Sequence, residues 1–147
     1  MDIRVQAGAF DFGPEADQFA KNRADTGAVV TFCGIVRDTE TDPLQSMEIE
    51  HYPGMTERAL TDIAAEAQRR WALLDVLIIH RYGLMVPGEK IMMVATASAH
   101  RADAFAAADF LMDYLKSRAP FWKKEHRIMR TDWVQAKESD EAALGRW

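Results

Sequence analysis

LDVLIIHRYGLMVPGEKIMMVATAS, residues 74–98, holds two β-rich apolar runs, LDVLIIHRYG (74–83) and EKIMMVATAS (89–98), on either side of Pro87-Gly88. Proline presets a turn and glycine accepts the positive φ that often follows it, so the dipeptide marks a reversal of the chain. The two runs are expected to pair as antiparallel strands. Upstream, MTERALTDIAAEAQRRW (55–71) repeats apolar side chains at 55, 59, 60, 63, 67 and 71. Glu57, Asp62, Glu66, Arg69 and Arg70 fall mainly on the other side, the spacing of an amphipathic helix. Downstream, a second long helix is predicted over Ala102 to Ser117, with Phe105, Ala108, Met112 and Leu115 on one face. It should stop near Ala119, because Pro120 disfavours helix at the preceding residue and lacks a backbone donor.

The remaining segments fill in around this frame. Ile3 and Val5 alternate with polar neighbours as a short strand, and Pro14 to Lys21 reads as a helix after Gly13. GAVVTFCGIV (27–36) is β-branched, apolar and continuous, the pattern of a buried strand. SMEIEHY (46–52) alternates as a half-buried strand that Pro53-Gly54 stops, and TDWVQA (131–136) supplies a last short strand. The order β-α-β-β-α-β-β-α-β, with hairpins and two packing helices, is α+β rather than a doubly wound parallel sheet. A single domain spanning 1–147, with a largely antiparallel or mixed sheet, is expected.

At 147 residues the chain is long enough to bury about two-thirds of its unfolded surface without staples. No apolar run approaches the ~20 residues of a membrane helix, and MDIRVQ at the amino terminus lacks the features of a signal peptide, so a cytoplasmic location is expected. The lone Cys33 can form no internal disulfide, and four scattered histidines without a CxxC show no zinc spacing; neither metal nor cofactor is expected. A net charge of −5 argues against a general nucleic-acid or anionic-membrane surface.

Charge is nevertheless focused locally. Between Asp113 and Arg130 stand six Lys or Arg (116, 118, 123, 124, 127, 130) against two acids (113, 125), which suits a small anion better than a polymer. Within LKSRAPFWKKE (115–125), Lys116 and Lys123 lie seven apart across Pro120, and a bend there would bring two amines toward one point. Crowding by Arg118 and Lys124 would disfavour the protonated form of either amine, toward a general base. Phe121 and Trp122 would add flat apolar walls. The competing reading is structural: a basic helix end complements the macrodipole, and a Phe-Trp pair beside it is core.

Three other stretches carry weaker signals. In SAHRAD (98–103), His100 and Arg101 fall where a strand hands over to a helix, a place that favours anions; alternatively, Ser98 is a helix cap and Arg101 a solvated first-turn residue. Arg37 stands just past the buried strand in CGIVRD, at a strand end where a loop could offer it to a ligand. Cys33 reads as a small hydrophobe and His51 and His80 as structural strand residues, while the i,i+4 pair Asp109 and Asp113 could bind a hard cation but more often such a pair is a solvated or lysine-paired helix face.

Taken together, FCGIVRD (32–38), IEHYPGMTERAL (49–60), IIHRYG (78–83) with VPGE (86–89), SAHRADAF (98–105) and MDYLKSRAPFWKKE (112–125) closely resemble the large, catalytic subunit family of molybdopterin synthase. The match runs from about Gly27 to Asp140 in family order. The resemblance implies an α/β hammerhead-like fold with a small β subdomain. It also implies sulfur transfer to cyclic pyranopterin monophosphate from a small ubiquitin-like partner with a C-terminal Gly-Gly thiocarboxylate, on a homodimer forming the core of a heterotetramer. Carried over by position, the essential lysines are Lys116 and Lys123, the substrate pair is His100 and Arg101, the Lys-basic-Glu run is Lys123, Lys124 and Glu125, and Arg37 and Phe32 match pocket positions. Ile35 departs from the family's basic residue there, and HRIMRTDW (126–133) is less family-like, leaving Arg127 and Arg130 without a role.

Arg101 and Lys116 bracket the second long helix, about 22 Å apart at 1.5 Å per residue, so both can serve one pocket only from different protomers of a symmetric dimer. Two other classes remain open: a non-catalytic basic groove that docks a Gly-Gly tail or a nucleotide, and a single-stranded nucleic-acid binder stacking bases on Phe121 and Trp122.

Overall fold

The computed structural model describes all of residues 1–147. Its elements are β1 (Asp2–Gln6), α1 (Phe12–Ala20), β2 (Ala28–Ile35), β3 (Leu44–His51), α2 (Met55–Arg70), β4 (Leu73–Arg81), β5 (Gly83–Met85), β6 (Lys90–Ser98), α3 (Arg101–Ser117), β7 (Phe121–Arg127), β8 (Thr131–Val134) and α4 (Glu138–Leu144). They build two four-stranded sheets, ordered β1-β4-β6-β2 and β5-β3-β7-β8, in a single-domain α+β fold. No helix is long and apolar enough to cross a membrane.

The expected β4–β6 pair forms the centre of the first sheet, antiparallel, with Ile78 opposite Val94 and Leu77 opposite Ala95. Successive side chains of a strand point to opposite faces, so β4 must find cover on both. Val76, Ile78 and Val94 join Leu60, Ala64 and Ala67 of α2 and Phe110, Leu111 and Leu115 of α3 in the main core. Leu77, Ile79, Met93, Ala95 and Ala97 turn the other way, onto Phe10 and the α1 residue Phe19. Burial on both faces explains why these runs are continuously apolar rather than alternating. The connection between them is more than a turn: residues 83–85 leave as β5 to pair with β3 in the second sheet, and Gly88, at φ 91°, then reverses the chain.

One expectation is corrected, and two elements are added that the sequence pattern did not predict. First, β2 is an edge strand rather than a buried one: it pairs only with β6, and Thr31, Phe32 and Ile35 are exposed. Its Val29 and Cys33 pack toward α1, while the opposite face beside α3 stays partly open. Second, the charged stretch after Pro120 is a strand, β7, lying antiparallel to β3 with Ile49 opposite Lys123 and Glu50 opposite Trp122. Third, the chain continues past β8 into α4, which packs on α3; Trp147 then closes edge-on against Trp71 and Phe110.

Gly27, just before β2, donates its N–H to the Ser98 carbonyl at 3.0 Å, and a Cβ there would stand 2.2 Å from the backbone oxygen of Ala99. That contact holds the chain at the point where β6 passes into His100 and α3. Gly27→Ala is expected to cost about 1–3 kcal/mol, read as a lowered thermal midpoint, because backbone must move to admit the methyl group. An unchanged midpoint would contradict the close approach.

Candidate functional site

The junction between α3 and β7 brings the two lysines together. α3 ends at Ser117, the Arg118 and Ala119 amides both donate to the Tyr114 carbonyl, and the chain turns through Pro120 into β7. Lys116, in the last helical turn, and Lys123, the third residue of the strand, line one cavity of about 250 Å³. The meeting comes from a helix-to-strand reversal and not from a bent helix. Leu115, Ala119, Phe121 and Val134 supply the apolar lining, while Gln135, Lys137 and Asp140 complete the polar rim.

Strand alternation sorts the basic run. Phe121, Lys123 and Glu125 share one face of β7; Trp122, Lys124 and His126 share the other. Phe121 lines the cavity and stacks on His80, with ring centroids 3.7 Å apart and planes 15° apart. Trp122 instead meets Tyr52 edge-on at 5.1 Å, so it is no wall of this cavity. The Lys124 ammonium sits 4.2 Å from the centre of the Trp133 ring and 3.9 Å from Glu50. The carboxylate of Glu125 accepts two bonds from Arg127, at 2.6 and 3.1 Å.

The electrostatics single out Lys123. Loss of hydration on burial, and then the nearby charge of Lys116, lower its pKa to about 8, with Asp140 pulling the other way. At pH 7 about a tenth of such an amine is free base. The crowding expected from Arg118 and Lys124 is absent: Arg118 extends to Glu141 at 2.9 Å, and Lys124 lies across the strand.

The other candidate residues lie outside this cavity. His100 is the residue before α3, its N–H donating to Ser98 Oγ at 3.3 Å; both it and Arg101 are exposed, and Arg101 makes no ion pair. They open the 17-residue α3 that Lys116 nearly closes, so one chain cannot bring Arg101 to Lys116. Phe32 lines a separate hollow of about 480 Å³ against Val30, Phe105 and Met112. Arg37 is exposed at the start of the segment joining β2 to β3. Asp109 and Asp113 bind Arg146, at 3.1 and 2.6 Å, which occupies the pair suspected of holding a cation. Burial raises the pKa of the Cys33 thiol, in keeping with a packing role.

Sequence reasoning missed two contributions. His80 is buried directly behind Phe121; its Nδ1 must carry the proton, because the Arg81 carbonyl 2.9 Å away can only accept. Burial, followed by the charges of Lys123 and Lys116, pushes its pKa down to about 3, so the imidazole is neutral and adds no positive charge to the site. Alternation along β4 places it there, but its partner is a residue 41 positions on, which no local pattern reveals. Lys137 and Asp140 reach the cavity because α4 docks on α3, where Ser117 Oγ donates to the Asp140 carbonyl at 2.8 Å.

Comparison with known proteins agrees with this architecture. The sequence pattern of the MoaE protein family matches residues 5–118. A molybdopterin synthase catalytic subunit of Cereibacter sphaeroides is 65% identical over 147 residues, covering all of both chains. Among solved structures, molybdopterin cofactor biosynthesis protein E of Burkholderia multivorans superposes with a TM-score of 0.83 at 51% identity, over 99% of this chain and 95% of that one. The molybdopterin synthase of Staphylococcus aureus gives 0.82 at 28% identity, over 90% and 96%. The chain belongs to the MoaE family, the sulfur-transferring catalytic subunits of molybdopterin synthase in molybdenum cofactor biosynthesis.

Proposed function

We propose that this chain is the catalytic subunit of a molybdopterin synthase that moves sulfur from the thiocarboxylated tail of a small ubiquitin-like subunit to cyclic pyranopterin monophosphate, forming the dithiolene. The observation that carries the reading is the shared cavity of Lys116 and Lys123, with the pKa of the second amine lowered to about 8. Lys116 pairs with the anionic thiocarboxylate and holds it against the substrate, which makes sulfur attack effectively intramolecular. The thiocarboxylate sulfur forms its bond to a pterin side-chain carbon as that carbon's bond to a phosphate oxygen breaks, the oxygen leaving on the opened phosphate. Lys123 exchanges a proton with the substrate as the cyclic phosphate opens, or stabilises the charge that develops there. Water then cleaves the acyl–sulfur bond and the tail leaves as a carboxylate; a second donor supplies the other sulfur at the neighbouring side-chain carbon, whose oxygen leaves as water.

Phosphate recognition falls to exposed side chains that can donate hydrogen bonds: Arg37 from the same chain, and His100 and Arg101 from a second copy. A homodimer in which the start of one α3 meets the lysine cavity of its partner satisfies the helix length, and one small subunit on each protomer makes a heterotetramer. Phe32, exposed on the edge strand, belongs to the pocket wall in such an assembly, while Lys124 and Glu125 flank Lys123 along β7, Lys124 on the opposite face beside Glu50 and Trp133. The nucleic-acid alternative is disfavoured, since Phe121 and Trp122 lie on opposite faces of β7 and make no common stacking platform. The docking-module alternative differs in one respect: it would bind the Gly-Gly tail without consuming a thiocarboxylate.

Incubation of the purified protein with thiocarboxylated partner and pterin precursor is expected to yield dithiolene product; binding without consumption would favour the docking module. Lys116→Ala should lower turnover by on the order of 100-fold or more with the fold intact by circular dichroism, and near-normal turnover would refute its role. Mixing inactive Arg101→Ala and Lys116→Ala proteins should restore about a quarter of wild-type activity, because half of the random dimers are mixed and each carries one intact site. No recovery, with subunit exchange demonstrated, would contradict a site shared between protomers.

A further inference from the structure

Arg127, at the end of β7, has no role in the reading above, and its side chain is only 10% exposed, which withdraws it from use as a surface cation. Its guanidinium is fully engaged. On one side Nε and Nη2 bind the Glu125 carboxylate. On the other, Nη1 donates to the backbone carbonyl of Asp42 and to Thr39 Oγ1, the latter at 3.3 Å, and Nε stands 3.7 Å from the Asp42 carboxylate. Arg130 grips the same Asp42 carboxylate at 2.6 Å, and the Arg127 N–H donates to the Arg130 carbonyl, closing the turn of the β7–β8 hairpin.

Thr39 and Asp42 belong to the 37–43 part of the connection between β2 and β3 (36–43), which has no strand or helix of its own. Internally it is tied by Asp38, whose carboxylate accepts from the N–H groups of Thr39 and Leu44, both at 2.7 Å. Externally, the hairpin arginines supply its charged anchors. Arg37, exposed and without an ion pair, follows Val36, which is buried and bonded through its backbone to Glu89 and Gly88. The strand at the other end of the clamp carries Lys123.

We propose that Arg127 is a positioning residue: by pinning the 37–43 connection to the hairpin that carries Lys123, it sets where Arg37 stands for the phosphate of the substrate. This rests on the functional reading above. A planar five-donor guanidinium spans two acceptors on the connection and a carboxylate on the strand at once, which a lysine ammonium cannot do. The clamp also commits Glu125 to Arg127, so that Glu125 acts through the clamp and not on substrate.

The test is a double-mutant cycle with Arg127→Gln and Arg37→Ala, measuring kcat and KM for the pterin phosphate, together with amide hydrogen exchange over 37–44. Arg127→Gln should raise KM about 10-fold with kcat within about 2-fold, and the double variant should be no worse than Arg37→Ala alone. Thr39 and Leu44 amides should exchange about 10-fold faster or more, with β4 and β6 unchanged. Arg127→Lys, which keeps the charge but loses the fork, should fall between, and serves where the Gln variant does not fold. Multiplied effects in the double variant, a wild-type KM in Arg127→Gln, or unaltered exchange would each overturn the proposal. If the unmodified protein itself fails to turn over, it is the functional reading that fails, and the exchange result alone decides whether the clamp exists.

Discussion

The proposed function depends on holding one amine half out of water beside another. Isolated, each ammonium would stay protonated and hydrated; placed in a small cavity lined by Leu115, Ala119, Phe121 and Val134, Lys123 loses hydration and feels the charge of Lys116. That arrangement is costly, and three structural devices keep it in place. α3 stops at Ser117, so Lys116 projects from a helix end; β7 pairs with β3, so Lys123 projects from a strand inward; and α4 docks across the open side. Loosening any one would let water or distance restore an ordinary lysine.

The rigid part of the fold was plain from the residues, and the reason is local. β4 and β6 are long apolar runs around a Pro-Gly turn, α2 and α3 keep helical spacing, and each announces itself within its own segment. β7 is different. FWKKEHR has little intrinsic strand preference, and it is a strand because β3, some 70 residues earlier, offers it a hydrogen-bonded edge. Since the strand was not foreseen, neither was its alternation, which separates Phe121 from Trp122 and Lys123 from Lys124. The burial expected of β2 failed for a related reason: an apolar run reveals that a strand has something to cover, but not whether this chain or another copy covers it.

The site was legible in unequal parts. Lys116 and Lys123 stood out as a charge cluster in an acidic chain, and their family resemblance gave that cluster a chemistry. His80, Lys137 and Asp140 were not legible, because each reaches the cavity through packing between elements distant in sequence. His80 shows how a buried histidine serves without titrating: its proton is fixed on Nδ1 by the Arg81 carbonyl, and its ring backs Phe121. The opposite ends of α3 carry the two halves of the expected site, so in the proposed reading a dimer, and not the protomer, would be the unit in which the chemistry is complete.

The most direct measurement is titration of the Lys123 side chain by NMR of lysine-selectively ¹³C-labelled protein, with its ε-carbon signal assigned by disappearance in Lys123→Met. The account predicts a midpoint near 8 that moves upward when Lys116 is replaced by Met, because the like charge is gone while the burial remains. A midpoint at the ordinary lysine value of 10.5, or one indifferent to Lys116, would contradict a shared, desolvated cavity.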